Sequence, residues 1–234
     1  MHQPSKLLIL GGNSDSGLRI AKTWMALGGT AAVTSRRAEL IAPVEALECV
    51  SLHPLDEPDR LRDLLAEPEQ VVVNVIGAWL RDAKRAIADT TRCVLDALPN
   101  TARYVHVSAT SVYGHRPGEC LNEDSDVSGA FEIGRIHAST DLEVLARRNS
   151  VVLRVPHLYG PNRERSLRRM FDGDFPVVGT GENVMHHLHI EDFANAVVAA
   201  AQSSYVGVLN VVDDDSVVTI RCKNGLTEIR LEAT

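Results

Sequence analysis

The stretch LLILGGNSDSG at residues 7–17 decides the fold class that this sequence predicts. Four apolar residues, Leu7–Leu10, predict a short buried strand, and a glycine-rich turn follows them directly. After the turn, apolar residues recur at roughly helical spacing between positions 16 and 27, which predicts an amphipathic helix. A strand, a tight turn and a helix in this order form the first half of a βαβ unit.

This turn has the features that bind the pyrophosphate of a dinucleotide. Gly11 allows the tight turn, and Gly17 allows the helix to pack closely against the strand. The N-terminus of the helix then points its N–H groups and the positive end of its dipole at the anion. The alternative is a glycine-rich turn without a ligand, but the flanking strand and helix are the context that the motif requires. Small residues complete the candidate cofactor-binding turn, and they are Gly12, Asn13, Ser14 and Ser16.

Beyond this unit, short apolar runs alternate with longer amphipathic stretches. Alternating strands and helices predict a doubly wound parallel sheet with right-handed crossovers, which is a Rossmann-type α/β fold. We expect a dinucleotide-binding domain at residues 1–158 and a small substrate-side lobe at 159–234, set over the carboxyl edge of the sheet. Further strands are predicted at 31–34, 50–52, 71–76, 104–107 and 151–155, and further helices at 61–65, 81–98, 136–146 and 192–201.

The end of the second strand indicates which dinucleotide binds. An NAD site usually places an acidic residue about 20 positions after the glycine motif, where it contacts the ribose 2′-hydroxyl. Here the strand is followed by Arg36 and Arg37, and a guanidinium group matches a phosphate monoester well. The sequence therefore favours NADP, with NAD as the alternative. A solvated surface pair, with Glu39 turning one arginine away, is the structural alternative for these residues.

Two residues after later strands complete the predicted cofactor site. Asp56 follows the third strand, where it either accepts a hydrogen bond from the adenine amino group or caps the next helix. Gly77 follows the fourth strand, where it either leaves room for the cofactor or forms an ordinary turn.

Composition and charge exclude several classes of protein. The 234 residues suffice for one α/β domain with a small appendage. A net charge of −7 argues against a protein that binds duplex nucleic acid. The apolar run Leu7–Leu10 is too short for a signal peptide or a membrane span, and the four scattered cysteines fit reduced thiols. We expect a cytoplasmic protein that binds a small molecule and neither a membrane nor nucleic acid.

Five segments together carry a resemblance to a known family. They are GGNSDSG at 11–17, VSATSVYG at 107–114, LRVPHLYGP at 153–161, LHIEDFA at 188–194 and LNVVDD at 209–214. In this order they resemble the extended short-chain dehydrogenase/reductase family, which includes the NAD-dependent epimerases and dehydratases of nucleotide sugars. The resemblance implies an NAD(P)-dependent oxidoreductase or epimerase-like enzyme that acts on a small polar or nucleotide-linked substrate. It also places Pro156, within the third segment, among the candidate cofactor-binding residues.

The sequence departs from this family at the positions that carry its chemistry. The resemblance implies a Ser or Thr, a Tyr and, four residues later, a Lys, but Ala109, Ile133 and His137 stand there. Because isoleucine cannot transfer a proton, the candidate catalytic residues are neighbouring groups, namely Thr110, Tyr113 and His137. Each has a structural alternative: Thr110 bonds the turn, Tyr113 is a packed aromatic residue, and His137 is an exposed helix residue or contacts only the ribose.

The later part of the sequence adds three observations. Four arginines after residue 161 suit an anionic substrate or form a solvated basic helix face. Three histidines lie close together, but without a Cys or a second carboxylate at ligand spacing we expect no metal, and we expect Asp192 to cap the next helix. The arginines are Arg163, Arg165, Arg168 and Arg169, and the histidines are His186, His187 and His189.

The C-terminal tail after Asp215 resembles nothing in the family, and we expect a C-terminus truncated relative to it. Such an end leaves apolar surface that a partner covers, for which a homodimer is one arrangement. Two functions follow from the whole sequence. The first is an atypical enzyme of this family, and the second is a non-catalytic NADP(H)-binding sensor or regulator that lacks the Tyr–Lys pair.

Overall fold

A computed structural model describes residues 6–67, 70–77, 82, 84–114, 116, 118–127, 131–163, 184–214, 217–218, 221–223 and 226–228. Seven parallel strands form one sheet, and they are β1 (Leu7–Leu10), β2 (Ala31–Ser35), β3 (Glu48–Ser51), β4 (Val71–Asn74), β5 (Arg103–Ala109), β6 (Ser150–Val155) and β10 (Gly207–Asn210). Their order across the sheet is β10-β6-β5-β4-β1-β2-β3.

Helices connect the strands on both faces of this sheet. They are α1 (Asp15–Ala26), α2 (Pro58–Leu65), a π-helical turn (Arg85–Asp89) that continues into α3 (Thr90–Ala97), a 3-10 turn (Thr110–Tyr113), α4 (Glu132–Leu145) and α5 (Ile190–Gln202). Short strands lie outside the main sheet, namely β7 (His157–Tyr159), β8 (Val184–Met185), β9 (His187–His189), β11 (Val217–Val218), β12 (Arg221–Lys223) and β13 (Leu226–Glu228). No helix of the described chain is long and apolar enough to cross a lipid bilayer.

The apolar run of β1 forms because both faces of this central strand are covered. Successive side chains of a strand point to opposite faces. Leu7 and Ile9 belong to the core beneath α1 and α5, whereas Leu8 and Leu10 belong to the core beneath α2, α3 and α4. This alternation confirms the predicted doubly wound parallel sheet of Rossmann type.

Several element boundaries differ from the predicted ones. The helix predicted at 136–146 begins already at Glu132. The helix predicted at 81–98 contains a π-helical turn before α3, and such turns insert one residue into a helix. The strand predicted at 71–76 ends at Asn74, because the Asn74 carboxamide accepts a 3.0 Å hydrogen bond from the backbone N–H of Ile76 and turns the chain.

The predicted substrate-side lobe at 159–234 shares elements with the main sheet. Strand β10 pairs with β6 at the edge of the sheet, and helix α5 packs beside α1. Residues 190–210 therefore belong to the same layers as the first domain. Residues 164–183 of the predicted lobe lie outside the described residues.

Candidate functional site

The site lies where the strand order reverses, between β1 and β4. Ligands of open α/β sheets bind in the crevice outside the carboxyl ends of the strands at this point. A cavity of about 1020 Å³ opens there. The turn after β1 and the segments that follow β2, β3 and β4 all contribute to its wall.

Gly11 in the turn after β1 and Gly17 at the start of α1 both lie in close contact with neighbouring atoms. Gly11 has φ +71, and a Cβ atom placed on it would lie 2.6 Å from Cγ1 of Ile76. A Cβ atom placed on Gly17 would lie 2.4 Å from Cα of Gly12, so α1 packs directly against the turn. Ser14 caps α1, and its Oγ accepts a 3.2 Å hydrogen bond from the N–H of Gly17. Glycine residues in the turn, followed by a helix N-terminus that faces a cavity, fit the pyrophosphate of a dinucleotide.

The predicted residues of this turn divide into two groups. Gly11, Asn13, Ser14 and Ser16 line the cavity. Gly12 and Gly17 pack beneath the turn instead, since a Cβ atom on Gly12 would lie 2.8 Å from Cβ of Ile9.

Two arginines neutralise the acidic residue at the start of α1. The carboxylate of Asp15 would repel a bound phosphate, but it lies 3.4 Å from Nε of Arg19 and 3.7 Å from Nε of Arg163. Arg163 also donates a hydrogen bond to Oγ of Ser16 and lines the cavity. Arg19 also pairs with Glu191, so these ion pairs balance the charges at the N-terminus of α1. Of the predicted arginine cluster, Arg165, Arg168 and Arg169 lie outside the described residues.

Arg36 and Arg37 follow directly after β2, and both are exposed and line the cavity. Within the described part of the chain, neither side chain forms an ion pair. The alternative in which Glu39 turns one of them away by pairing is therefore absent from this structure.

Asp56 also lines the cavity, and its carboxylate lies close to the side chains of Arg85 and His53. Its carboxylate oxygens lie 3.5 Å from a terminal nitrogen of Arg85 and 3.6 Å from Nδ1 of His53. The capping alternative for Asp56 is wrong, because the N-cap of α2 is Glu57, whose carboxylate accepts the N–H of His53 at 2.8 Å. Adenine recognition by Asp56 stays a prediction. Gly77 also lines the cavity, and its role in leaving room for the cofactor stays a prediction.

Sequence reasoning missed Arg85, which lines the cavity and begins the π-helical turn. Helical periodicity alone places no special residue at this position, and the only signal was an arginine near the start of an amphipathic stretch.

Tyr113 is buried, with 5% of its surface exposed. Its hydroxyl donates a 2.8 Å hydrogen bond to Oδ1 of Asn210 and accepts one of 2.9 Å from Arg154. The guanidinium carbon of Arg154 also lies 5.1 Å from the centre of the Tyr113 ring. These contacts match the packed-aromatic alternative, so a catalytic role for Tyr113 stays a prediction with its hydroxyl engaged. Thr110 begins the 3-10 turn after β5 and is partly exposed, and it lies outside the set of described residues that line the cavity.

His137 lies on α4 and is buried, with 7% of its surface exposed. The exposed-helix alternative for this residue is therefore wrong. Burial lowers the pKa of His137 to about 4, and burial together with the neighbouring His137 lowers the pKa of His106 to about 3. His137 is therefore neutral near pH 7, and its lowered pKa makes it a weaker base than an exposed histidine. Like Tyr113, it lies outside the set of described residues that line the cavity.

The lowered pKa values of His106 and His137 predict how the free energy of unfolding depends on pH. Both folded-state pKa values lie below the value of about 6.5 in an unfolded chain, so the unfolded chain binds more protons once the pH falls below about 6.5. Their contribution is fully present above that pH and is lost as the pH falls toward the folded values. We expect each histidine to lower the free energy of unfolding by about 1.4 kcal/mol per pH unit between about pH 6 and 5.

Urea unfolding at several pH values checks this expectation. His106→Leu should reduce the slope below pH 6.5 by the contribution of one histidine while leaving the midpoint near neutral pH little changed. An unchanged slope in this variant would show that burial does not lower the pKa of His106 in the folded protein.

The remaining predicted residues lie around β7 and β9. Pro156 separates β6 from β7, is partly buried and is outside the set of described residues that line the cavity. His187 and His189 lie on β9, and the described residues contain no cluster of three potential metal ligands. The predicted cap at Asp192 is wrong, because α5 begins at Ile190 and Nδ1 of His189 accepts the N–H of Glu191 at 3.3 Å.

Two curated proteins are similar in sequence to part of this chain. A curated 3-diazoavenalumate denitrifying reductase from Streptomyces sp. is 35% identical over 94 residues, which are 38% of this chain and 29% of that protein. A dTDP-glucose 4,6-dehydratase from Streptomyces niveus is 31% identical over 127 residues, which are 48% of this chain and 38% of that protein. The matched regions thus span less than two fifths of these relatives.

Solved structures share the fold along almost the whole chain. A UDP-N-acetylglucosamine 4-epimerase from Methanobrevibacter ruminantium M1, in complex with UDP-N-acetylmuramic acid, superposes with a TM-score of 0.75 at 20% identity, covering 92% of this chain and 78% of its own. The Bordetella bronchiseptica enzyme WbmG, in complex with NAD, superposes with a TM-score of 0.74 at 19% identity, covering 90% and 73%.

A model of one protein family matches most of the sequence. It is the NAD dependent epimerase/dehydratase family, and the match covers residues 7–211, from β1 to the end of β10. The resemblance drawn from the five sequence segments is thereby confirmed. The chain belongs to the NAD-dependent epimerase/dehydratase family.

Proposed function

We propose that this protein binds NADP(H) at the crevice between β1 and β4, with Arg36 and Arg37 holding the 2′-phosphate. The observation that carries the proposal is that both arginines line the same cavity as the glycine turn. The turn suits a pyrophosphate, and the guanidinium groups suit a phosphate monoester one subsite further on. Neither arginine is paired with a carboxylate in the described chain, so both charges are available to the ligand.

We further propose an oxidoreductase or epimerase-like activity on a small polar or nucleotide-linked substrate. A nicotinamide cofactor supplies or accepts a hydride when it is bound. The matched relatives and solved structures include a dTDP-glucose dehydratase and a UDP-sugar epimerase, which supports a nucleotide-linked substrate. The guanidinium of Arg163 lines the cavity, where an anionic part of such a substrate would compete for it with Asp15, which lies 3.7 Å away.

Proton transfer in this activity requires a group other than the missing tyrosine. His137 stands where the family resemblance implies a lysine, and its neutral imidazole can donate or accept a hydrogen bond near pH 7, while burial makes it a weak base. Thr110 lies at the carboxyl end of β5 and offers a hydroxyl for orienting a substrate. We propose these two residues as the candidates for the chemistry, ahead of Tyr113, whose hydroxyl already has two partners.

A second candidate function is a non-catalytic NADP(H)-binding sensor or regulator. The specific observation in its favour is that Ala109 and Ile133 stand at positions where the family resemblance implies proton-transferring side chains. Hydride exchange separates the two functions. With NADPH or NADP⁺ and a panel of carbonyl and nucleotide-sugar compounds, a reductase or dehydrogenase changes the redox state of the nicotinamide, and an epimerase-like enzyme converts the compound without a net change. A sensor binds both redox forms and leaves every compound unchanged.

Replacing both arginines tests the cofactor proposal. Arg36→Ala/Arg37→Ala should weaken NADPH binding by about 10-fold or more and leave NADH binding nearly unchanged, because each charge-assisted hydrogen bond that is lost costs roughly 1.5–3 kcal/mol. Calorimetric titration of both nucleotides against the wild type and the variant measures this difference.

A charge-matched control is Arg62→Ala/Arg148→Ala, which removes two exposed arginines away from the cavity. This control should bind NADPH like the wild type. If the wild type binds NADH as tightly as NADPH, the arginines are surface residues and the cofactor is NAD. If neither nucleotide binds, the proposal for the whole crevice is wrong.

A further inference from the structure

We propose that Asn13 is a positioning residue for cofactor specificity, which sets the place of Arg36 and Arg37 relative to the phosphate-binding turn. This inference rests on the proposed NADP(H) function and extends it to a residue that acts through the loop after β2. A 3.0 Å hydrogen bond from the N–H of Gly11 to Oγ1 of Thr34 joins the turn after β1 to the end of β2, and Asn13 adds contacts further along the loop after β2.

The carboxamide of Asn13 joins both ends of the loop to the turn. Its Nδ2 donates to Oγ of Ser35 at 3.0 Å and to the backbone carbonyl of Glu39 at 2.8 Å. Its Oδ1 accepts the backbone N–H of Ile41 at 2.8 Å. One side chain therefore holds the start and the end of the segment that carries the two arginines.

The hydroxyl of Ser35 transmits this restraint to the arginines. Its Oγ accepts a second hydrogen bond, of 3.0 Å, from the backbone N–H of Arg37. The bonds run in sequence from the Asn13 carboxamide through the Ser35 hydroxyl to the Arg37 backbone. The backbone that presents both guanidinium groups is thus tied to the turn that faces the pyrophosphate.

Only a carboxamide of this length meets the requirement at position 13. The site needs two donated hydrogen bonds and one accepted hydrogen bond, which asparagine supplies and aspartate or alanine does not. A long arginine side chain on a loosely held loop loses rotamer and backbone freedom when it binds, which weakens its contribution. Loop positioning therefore affects the 2′-phosphate contact more than the pyrophosphate contact.

Calorimetric titration of NADPH and NADH against three variants tests the inference. Asn13→Ala removes all three bonds, and Ser35→Ala removes the link to Arg37 while leaving Asn13 in place. We expect Asn13→Ala to weaken NADPH binding about 10-fold and NADH binding less than about 3-fold, and Ser35→Ala to act in the same direction with a smaller effect. The matched control is Asn122→Ala, since Oδ1 of Asn122 also holds a loop through the N–H of Asp124 at 3.1 Å but lies outside the cavity.

A double-mutant cycle separates positioning from a general loss of structure. In the Arg36→Ala/Arg37→Ala background, Asn13→Ala should cause no further loss of NADPH preference, because the groups that it positions are gone. Equal weakening of both nucleotides by Asn13→Ala, or an additive effect in that background, overturns the inference. The wild-type titration reports separately on the proposed function, since a wild type without NADPH preference refutes that function whatever the variants do.

Discussion

Gly17→Ala should abolish dinucleotide binding and lower the free energy of unfolding by about 3 kcal/mol or more, because the new methyl group meets backbone. A Cβ atom at this position lies 2.3 Å from the carbonyl oxygen and 2.4 Å from Cα of Gly12. Neither atom belongs to a flexible side chain, so α1 must move away from the turn after β1. Alanine has a higher intrinsic helix propensity than glycine, which alone would raise the free energy of unfolding by about 1 kcal/mol. A measured loss of stability therefore indicates the steric contact, and a gain indicates the helix propensity.

Gly28→Ala is the control for this experiment. Gly28 lies just beyond the same helix at φ +87, and nothing lies within 4 Å of a Cβ atom placed there. Backbone strain alone should cost this variant about 1–2 kcal/mol, with nucleotide binding retained. Urea unfolding and NADPH titration of both variants make the comparison. A Gly17→Ala protein as stable as the wild type would contradict the close approach of α1 to the turn.

Removal of the buried carboxylate on α4 is expected to have the second large effect. Asp141 and Arg154 form an ion pair of 3.0 Å between Oδ2 and Nε, and their side chains are only 1% and 6% exposed. Asp141→Leu leaves the guanidinium charge buried without its counterion, which should cost about 3–5 kcal/mol. Arg154→Met should cost a similar amount, since it leaves the carboxylate without its counterion.

The double variant distinguishes a buried charge from lost packing. Asp141→Leu/Arg154→Met removes both charges, so its loss of stability should be clearly smaller than the sum of the two single losses. The Tyr113 hydroxyl keeps its hydrogen bond to Asn210 in this variant. Urea unfolding of the four proteins gives the coupling free energy. Additive losses would mean that the two charges do not depend on each other in the folded protein.

The fold could be predicted from sequence because its signals are local. The apolar run Leu7–Leu10, the turn after it and the alternation of later runs each specify an element within a few residues. Strand β10 was recognised only as part of the family resemblance, because its four residues follow exposed Tyr205 and Val206 and carry little apolar periodicity. The pairing that places β10 beside β6 is a long-range contact that no local pattern encodes.

In the candidate site, too, local sequence signals predicted some residues, whereas long-range contacts that involve other residues could not be predicted. The glycines and the two arginines were predicted, since their roles depend on their place after a strand. The contacts of Asn13 with the loop after β2 span more than 20 residues, and the sequence predicted Asn13 only as a residue of the cofactor-binding turn. His106 was hidden because a single polar residue within an apolar strand does not change the periodicity.

The edge position of β10 has a consequence for how the chain folds. During synthesis, β1 to β6 leave the ribosome well before residues 207–210, so the apolar strand β6 (Ser150–Val155) has an unpaired edge until β10 arrives. Parallel pairing between such distant segments is slow, because a long loop must close first. The nascent chain therefore passes through an interval in which β6 offers its backbone to any other strand, and this interval ends when α5 and β10 dock.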